Sequence, residues 1–227
     1  MTSISVYTFT LGREFYLNRL INSIIETGDS EKIDEQYIIF QGCKASQSFL
    51  NSIPKNINII EWEENVGAGE GNNRILKKLS GNLIIKLDDD ALIHSKRYFT
   101  HAEEIDSILN CPFSPYPVGL INNPGGVPSK EHFVNYGEKT DTYYTFRKVS
   151  HIGGFARICQ KSIVDKITWK YDYSLTNSGH EDIFFSSFCN THNIPMYYLE
   201  NAMVVEHQES TLGQHERYKN YFKNGRF

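Results

Sequence analysis

The stretch Leu83-Ile84-Ile85-Lys86-Leu87-Asp88-Asp89-Asp90-Ala91-Leu92-Ile93 places three consecutive carboxylates directly after a short apolar run. A run of that length reads as a fully buried strand of an α/β sheet, and such sheets gather their ligands at the carboxyl ends of their strands. Concentrated negative charge there is a metal and phosphate signature. On extended backbone, Asp88 and Asp90 point to the same side and offer oxygen ligands to a hard cation, whose other positions stay free for substrate phosphates. A solvated acidic turn is the competing reading, because Asp-rich loops commonly are that. Partners farther along the chain favour the functional one.

Upstream of the triplet, strand and helix patterns alternate, which predicts a parallel sheet with right-handed crossovers. The first strand spans residues 3–9. Thr10-Leu11-Gly12-Arg13 then leads into a helix with Phe15, Leu17, Leu20, Ile21, Ile24 and Ile25 at helical spacing, stopped at Gly28. Strands at 37–40 and 57–62 follow, and Gly67, Gly69 and Gly71 open a segment whose helix runs from about residue 72 to 79. Downstream, a helical stretch covers 98–109. Pro112, Pro115, Pro117, Pro124, Gly125, Gly126 and Pro128 then predict a loop-rich segment over about 111–142, a candidate for acceptor contacts or a lid. Regular structure resumes near Val149. A short strand after Gly153-Gly154-Phe155-Ala156 precedes a helical patch at 161–167. Another helix starts at His180 or Glu181, with Ile183, Phe184, Ser187 and Phe188 turned inward. Strands at 196–199 and 202–205 lead to His207.

The 227 residues suit one domain, in which residues 1–95, 96–210 and a tail (211–227) are distinguished. A formal net charge of −4 and a pI near 6.1 exclude any general attraction to nucleic acid, so an anionic ligand must be held by local charge. Cys43, Cys111, Cys159 and Cys189 are far apart and form no C-x-x-C pair, which reads as reduced thiols in a cytoplasmic setting. No secretory leader is visible, and no apolar run approaches the ~20 residues of a membrane span. From Gln214 onward, Arg217, Lys219, Lys223 and Arg226 alternate with Tyr218, Tyr221, Phe222 and Phe227. That tail has three readings: a frayed end, contact with the inner face of a membrane, or a cover over a bound diphosphate.

Four features recur in a fixed order: residues 8–13 after the first strand, the acidic triplet, Gly179-His180-Glu181-Asp182 at a helix start, and His207 after the last strand. Together with Asn65-Val66-Gly67 through Asn73 to Gly81, Gly153-Gly154-Phe155 and Val204-Val205-Glu206-His207, this order resembles a family-2-like glycosyltransferase of the GT-A fold. The matching stretches cover about residues 3–210. The resemblance implies an α/β, Rossmann-like, mostly parallel central sheet flanked by helices in a single domain, with 1–95 as the nucleotide-sugar-binding half and 96–210 as the acceptor and catalytic half.

It also implies a donor, a metal and a base. The donor is a nucleotide-diphospho sugar, with uridine as the default base. The departing diphosphate needs charge stabilisation, supplied by a divalent metal, Mn²⁺ or Mg²⁺, acting as a Lewis acid. By analogy with the family, Asp90 binds that metal, Asp88 contacts ribose or metal, and His207 supplies a further ligand. Asp182 takes the proton of the acceptor hydroxyl while Glu181 holds acceptor hydroxyls; both sit where a helix macrodipole favours the ionised form. The backbone at Thr8 and Phe9 meets the nucleobase, and Arg13 reaches base or phosphate. Thr10, Asn65, Gly67, Asn73 and Asp89 complete the donor side, and Gly153 and Gly154 make room for the sugar. Gln41-Gly42 departs from the family where many members carry an Asp that reads uracil, which puts the base identity in question. The acceptor is a glycan, a lipid-linked sugar, a peptide or a small molecule; a single displacement would invert the anomeric centre, and the GT-A fold hosts retention as well. Two rivals stand beside this reading. One is a non-catalytic binder of nucleotide sugars on the same scaffold; the other, ranked lower, is a sugar nucleotidyltransferase, whose Gly-rich basic loop after the first strand is absent.

Overall fold

The structure, a computed structural model, describes residues 2–118, 133–139, 142–169 and 180–208. The tail from Gln214, Gly179 and residues 119–132 of the Pro- and Gly-rich segment lie outside the described residues. Strand β1 (Ile4–Thr10) leads to helix α1 (Glu14–Glu26), β2 (Ile33–Gln41), α2 (Gln47–Ser52), β3 (Ile57–Trp62), α3 (Gly67–Ile75), β4 (Leu83–Leu87) and β5 (Ala91–Ile93). Helix α4 (Tyr98–Leu109) is followed by β6 (Phe113–Ser114), β7 (Tyr116–Val118), β8 (Phe133–Lys139), β9 (Thr142–Val149) and β10 (Ala156–Gln160). Helices α5 (Lys161–Val164) and α6 (His180–Thr191) and strands β11 (Met196–Leu199) and β12 (Val204–His207) complete it.

The main sheet has the order β3-β2-β1-β4-β10-β6-β11-β9-β8. Its first four strands are parallel, and of the others only β10 and β9 run against them. The mostly parallel sheet expected from the strand and helix alternation is therefore present. A small second sheet, β5-β12-β7, pairs His207 with Ala91. Alternation along β4 sends Leu83, Ile85 and Leu87 to one face, against Phe99, Ala102 and Ile105 of α4, and Ile84 to the other, against Ile75, Phe185 and Cys189. Lys86 shares the Ile84 face, beneath α3 and α6.

Several expectations shift. β2 starts at Ile33, because its acidic beginning is satisfied: the Ile4 amide donates to Asp34 at 2.7 Å and the Ser5 hydroxyl to Glu35 at 2.6 Å. α3 starts at Gly67, not Asn72. Gly71 is a position inside this helix, and it is glycine because it lies under the Phe9 ring, where a Cβ would come within 2.8 Å of Phe9 Cζ. The segment 111–142 is less irregular than its prolines imply, since β6, β7 and β8 fall inside it. On α6, Ile183 is 51% exposed, while Phe185, Ser186 and Cys189 are buried, a rotation of the inward face relative to the expected one. Phe185 is drawn in by stacking on Trp169, with centroids 6.2 Å apart. On α1, Phe15 and Ile25 face solvent. The last strand begins at Val204 because Ala202 turns the chain at φ +66°.

Candidate active site

The triplet is a tight turn, not extended chain. The Asp88 amide donates to the Phe155 carbonyl at 2.7 Å, and the Ala91 amide closes back on the Asp88 carbonyl at 3.0 Å. The three carboxylates therefore splay toward different partners. Asp89 points inward, where it accepts the Thr10 hydroxyl at 2.7 Å and both Arg13 Nε, at 3.0 Å, and Arg13 Nη2. Burial pushes the Asp89 carboxyl up from its ordinary value, and Arg13 and Thr10 offset only part of that. Thr10 Oγ1 also receives the amides of Gly12 and Arg13, at 3.1 and 3.2 Å, so one hydroxyl shapes the β1–α1 loop and ties it to the triplet.

Asp88 faces Lys86, which sequence reading passed over. Lys86 is 3% exposed and its Nζ donates to Asp88 Oδ1 at 2.6 Å, to the Gly154 carbonyl at 2.6 Å and to Glu181 Oε1 at 3.3 Å. A lysine in an otherwise apolar strand was the available signal, because lysines are almost never fully buried unless paired. Burial drives its pKa down, yet the Asp88 and Glu181 carboxylates outweigh this and raise it, so Lys86 stays a cation. Across the sheet it stands in register with Tyr7 and Arg157, and the Arg157 guanidinium lies 4.2 Å from the Phe185 ring centroid.

Lys86 thereby brings the carboxylates of β4 and α6 to one place. Glu181 packs on Gly154, where an added Cβ would collide with its Oε1. Glu181 is 9% exposed and held; Asp182, 21% exposed, instead meets His151, Nε2 to Oδ2 3.3 Å. His151 also escaped sequence reading: a lone histidine two residues before a glycine pair carries no pattern of its own.

Asp90 meets His207, Oδ2 to Nδ1 3.3 Å, both buried. The pairing of β12 with β5 causes this, since His207 is in register with Ala91 and the Gln208 amide donates to the Asp90 carbonyl at 2.9 Å. Among the described residues no three His, Cys, Asp or Glu side chains gather as a ready-made metal site. A facing carboxylate and imidazole still fit a divalent cation of the kind that takes one or two carboxylates and fills its other positions with substrate phosphates and water.

The other residues that the sequence pattern assigns to the donor are each held by contacts of their own. Thr8 is buried, so its backbone is what it can offer a ligand, and the Phe9 ring is held between Gly71 and Trp62, 5.9 Å away. Asn65 accepts the Gly67 amide at 2.9 Å, holding the α3 entry at Gly67 φ +74°. Asn73 clamps Trp169, donating to its carbonyl at 2.8 Å and accepting its amide at 3.3 Å. The Gly153 amide donates to the Tyr198 hydroxyl at 3.0 Å.

A sheet of this order, with carboxylates at the ends of β4 and the start of α6, defines a GT-A scaffold. The model of the glycosyl transferase family 2 matches residues 5–168, and the chain belongs to that family. No protein of curated function matches it in sequence. Among solved structures it resembles GalNAc-T7 crystallised with UDP, GalNAc and Mn²⁺, at 13% identity over 91% of this chain and 44% of that one, with a TM-score of 0.67. It also resembles S. aureus TarS. Residues 1–349 of TarS match at 17% identity over 91% of this chain and 60% of that one, TM-score 0.63. A second TarS structure matches at 18% identity over 90% of this chain and 36% of that one, TM-score 0.64. These likenesses concern the fold, and the chain spans between 36% and 60% of the length of these structures.

Proposed function

We propose that this chain transfers a sugar from a nucleotide-diphospho sugar, with uridine as the default base, to an acceptor hydroxyl with inversion. The observation that carries this reading is the bridge made by Lys86, which sets Asp88 at the end of β4 and Glu181 at the start of α6 on one cation, 2.6 and 3.3 Å from it. A buried lysine needs counter-charge, and here it comes from two acids of distant segments, which Lys86 holds together at the end of β4 and the start of α6.

The pairings also divide the labour between the two acids of α6. Glu181 is neutralised by Lys86 and walled in by Gly154, so it suits holding an acceptor hydroxyl. Asp182 is the more accessible, and as general base it would take the acceptor proton as the hydroxyl attacks the anomeric carbon. Asp90 and His207 would hold the metal. A divalent cation there, Mn²⁺ or Mg²⁺, neutralises charge on the departing diphosphate, and the Mn²⁺ and UDP of the GalNAc-T7 structure are in keeping with that choice. Arg13 and Asp89, bound to each other, would support the donor through the β1–α1 loop they fix. Thr8, Phe9, Thr10, Asn65, Gly67, Asn73, Gly153 and Gly154 would shape the donor pocket. The acceptor is drawn from glycans, lipid-linked sugars, peptides and small molecules.

Thermal-shift measurements with nucleoside diphosphates and sugar nucleotides, with and without Mn²⁺, test the reading, because a ligand of the native state raises Tm by mass action. One nucleotide should give a metal-dependent rise that Asp90→Ala removes and Asp182→Asn keeps. Transfer surviving in Asp182→Asn would remove Asp182 from its role.

A further inference from the structure

The segment between β9 and β10 lies along α6, held at successive points. Asn190 Nδ2 donates to the Ser150 carbonyl at 2.9 Å, and the Ile152 amide donates to the Ser186 hydroxyl at 3.1 Å. Between these two ties stands His151, whose Nε2 meets Asp182 Oδ2 at 3.3 Å. The other carboxylate oxygen of Asp182, Oδ1, accepts the Ile183 amide at 2.8 Å. Both oxygens of one carboxylate are therefore fixed, one by the helix backbone and one by a ring on a neighbouring segment. The pair is not buried ballast: His151 and Asp182 are 24% and 21% exposed. A part-exposed pair of this sort adds little stability, but it does fix where the carboxylate points.

We propose that His151 is a positioning residue that sets the rotamer of Asp182, presenting its carboxylate to the acceptor hydroxyl; this rests on Asp182 being the base. Two ties fix both the direction of the lone pairs and the distance to the hydroxyl, which is what a general base needs to act in the transition state. The backbone ties at Ser150 and Ile152 keep the imidazole in place without it. Losing the ring therefore releases Oδ2 of Asp182, with only the Ile183 amide left on the carboxylate, and leaves the strand, the helix and the Asp90–His207 pair alone. The same segment continues into Gly153 and Gly154, so the tie also links the orientation of Asp182 to the wall behind Glu181.

The test compares wild type with His151→Leu, His151→Gln and Asp182→Asn, following UDP release from a panel of UDP-sugars in the presence of free mono- and disaccharides. His151→Leu should lower kcat about 10- to 100-fold, the range expected for a group orienting a reacting one. The Kd for UDP with Mn²⁺ and the Tm should stay at wild-type values. His151→Gln, whose amide reaches toward the Nε2 position, should recover most of the lost kcat, which a purely structural role would not require. His151→Leu at wild-type kcat with Asp182→Asn inactive overturns this inference alone. Asp182→Asn at full activity overturns the base assignment and this inference with it. Imidazole ¹⁵N–¹H spectra of the unliganded protein give a substrate-free check: Asp182→Asn should move the His151 resonances, and unmoved resonances would mean that the contact, and the inference, are wrong.

Discussion

Replacing Lys86 with Met keeps the length and apolar stem of the side chain and removes its charge. Glu181, 9% exposed, then loses its cation, and the Gly154 carbonyl loses its donor; Asp88, 36% exposed, can still turn to water. Breaking a buried pair by deleting one partner costs about 3–5 kcal/mol. The Asp88 contact adds little to that because solvent screens it. For a chain of this size that corresponds to a fall in Tm of roughly 6–20 °C. Adding Glu181→Gln removes the stranded carboxylate, so the double variant should recover at least half of the loss, a coupling that a double-mutant cycle by thermal or urea unfolding measures directly. A Tm for Lys86→Met within about 2 °C of wild type, or a double variant no more stable than the single one, would refute the assignment of Lys86 as the counter-charge of Glu181.

Replacing His207 with Ala should abolish the Mn²⁺-dependent part of the nucleotide thermal shift while the metal-free shift stays, as read by the same titration in a chelator. Gly71→Ala would press a methyl to 2.8 Å from Phe9 Cζ, so the ring must move; overpacking of this kind costs about 1–3 kcal/mol, measurable by urea unfolding, along with weaker nucleotide binding. Glu35 gives a pH signature. Burial pushes its carboxyl up, but the Ser5 hydroxyl and the Ser80 and Gly81 amides together hold it below its ordinary 4.5. An acid whose folded pKa is lowered stabilises the protein above the unfolded value and loses that contribution as pH falls through the folded one. Glu35→Gln should therefore flatten the decline of Tm below pH 4.5, and an unchanged acid limb would argue against the tie.

Much of the fold was legible because its signals are local. A five-residue run that is apolar but for Lys86, followed by three acids, announces a buried strand and its end, and β3 and α4 fall where their patterns put them. What escaped was set by neighbours distant in sequence. Gly71 looked like a loop residue, yet it is a helical position cleared for Phe9 of β1. Asp88, Asp89 and Asp90 looked like a repeating set, and a turn sends each to a different partner. Lys86 and His151 belong to no motif: each matters through what the fold sets beside it, Glu181 in one case and Asp182 in the other. The inward face of α6 was misread for the same reason, since Trp169 selects Phe185 over Ile183.

The pairing of β12 with β5 bears on how the protein assembles. Gln208 Nε2 donates to the Ala91 carbonyl across 117 positions of chain, and His207 reaches Asp90 only through that closure. Contacts of such span repay their loop entropy late, after nearer ones have formed. During synthesis the parallel half, β1 to β4, therefore has its strands complete while His207 has yet to emerge. A nascent chain arrested before residue 204 would hold the acidic turn without its imidazole, so the Asp90–His207 pair closes only once β12 has been made and has docked beside β5.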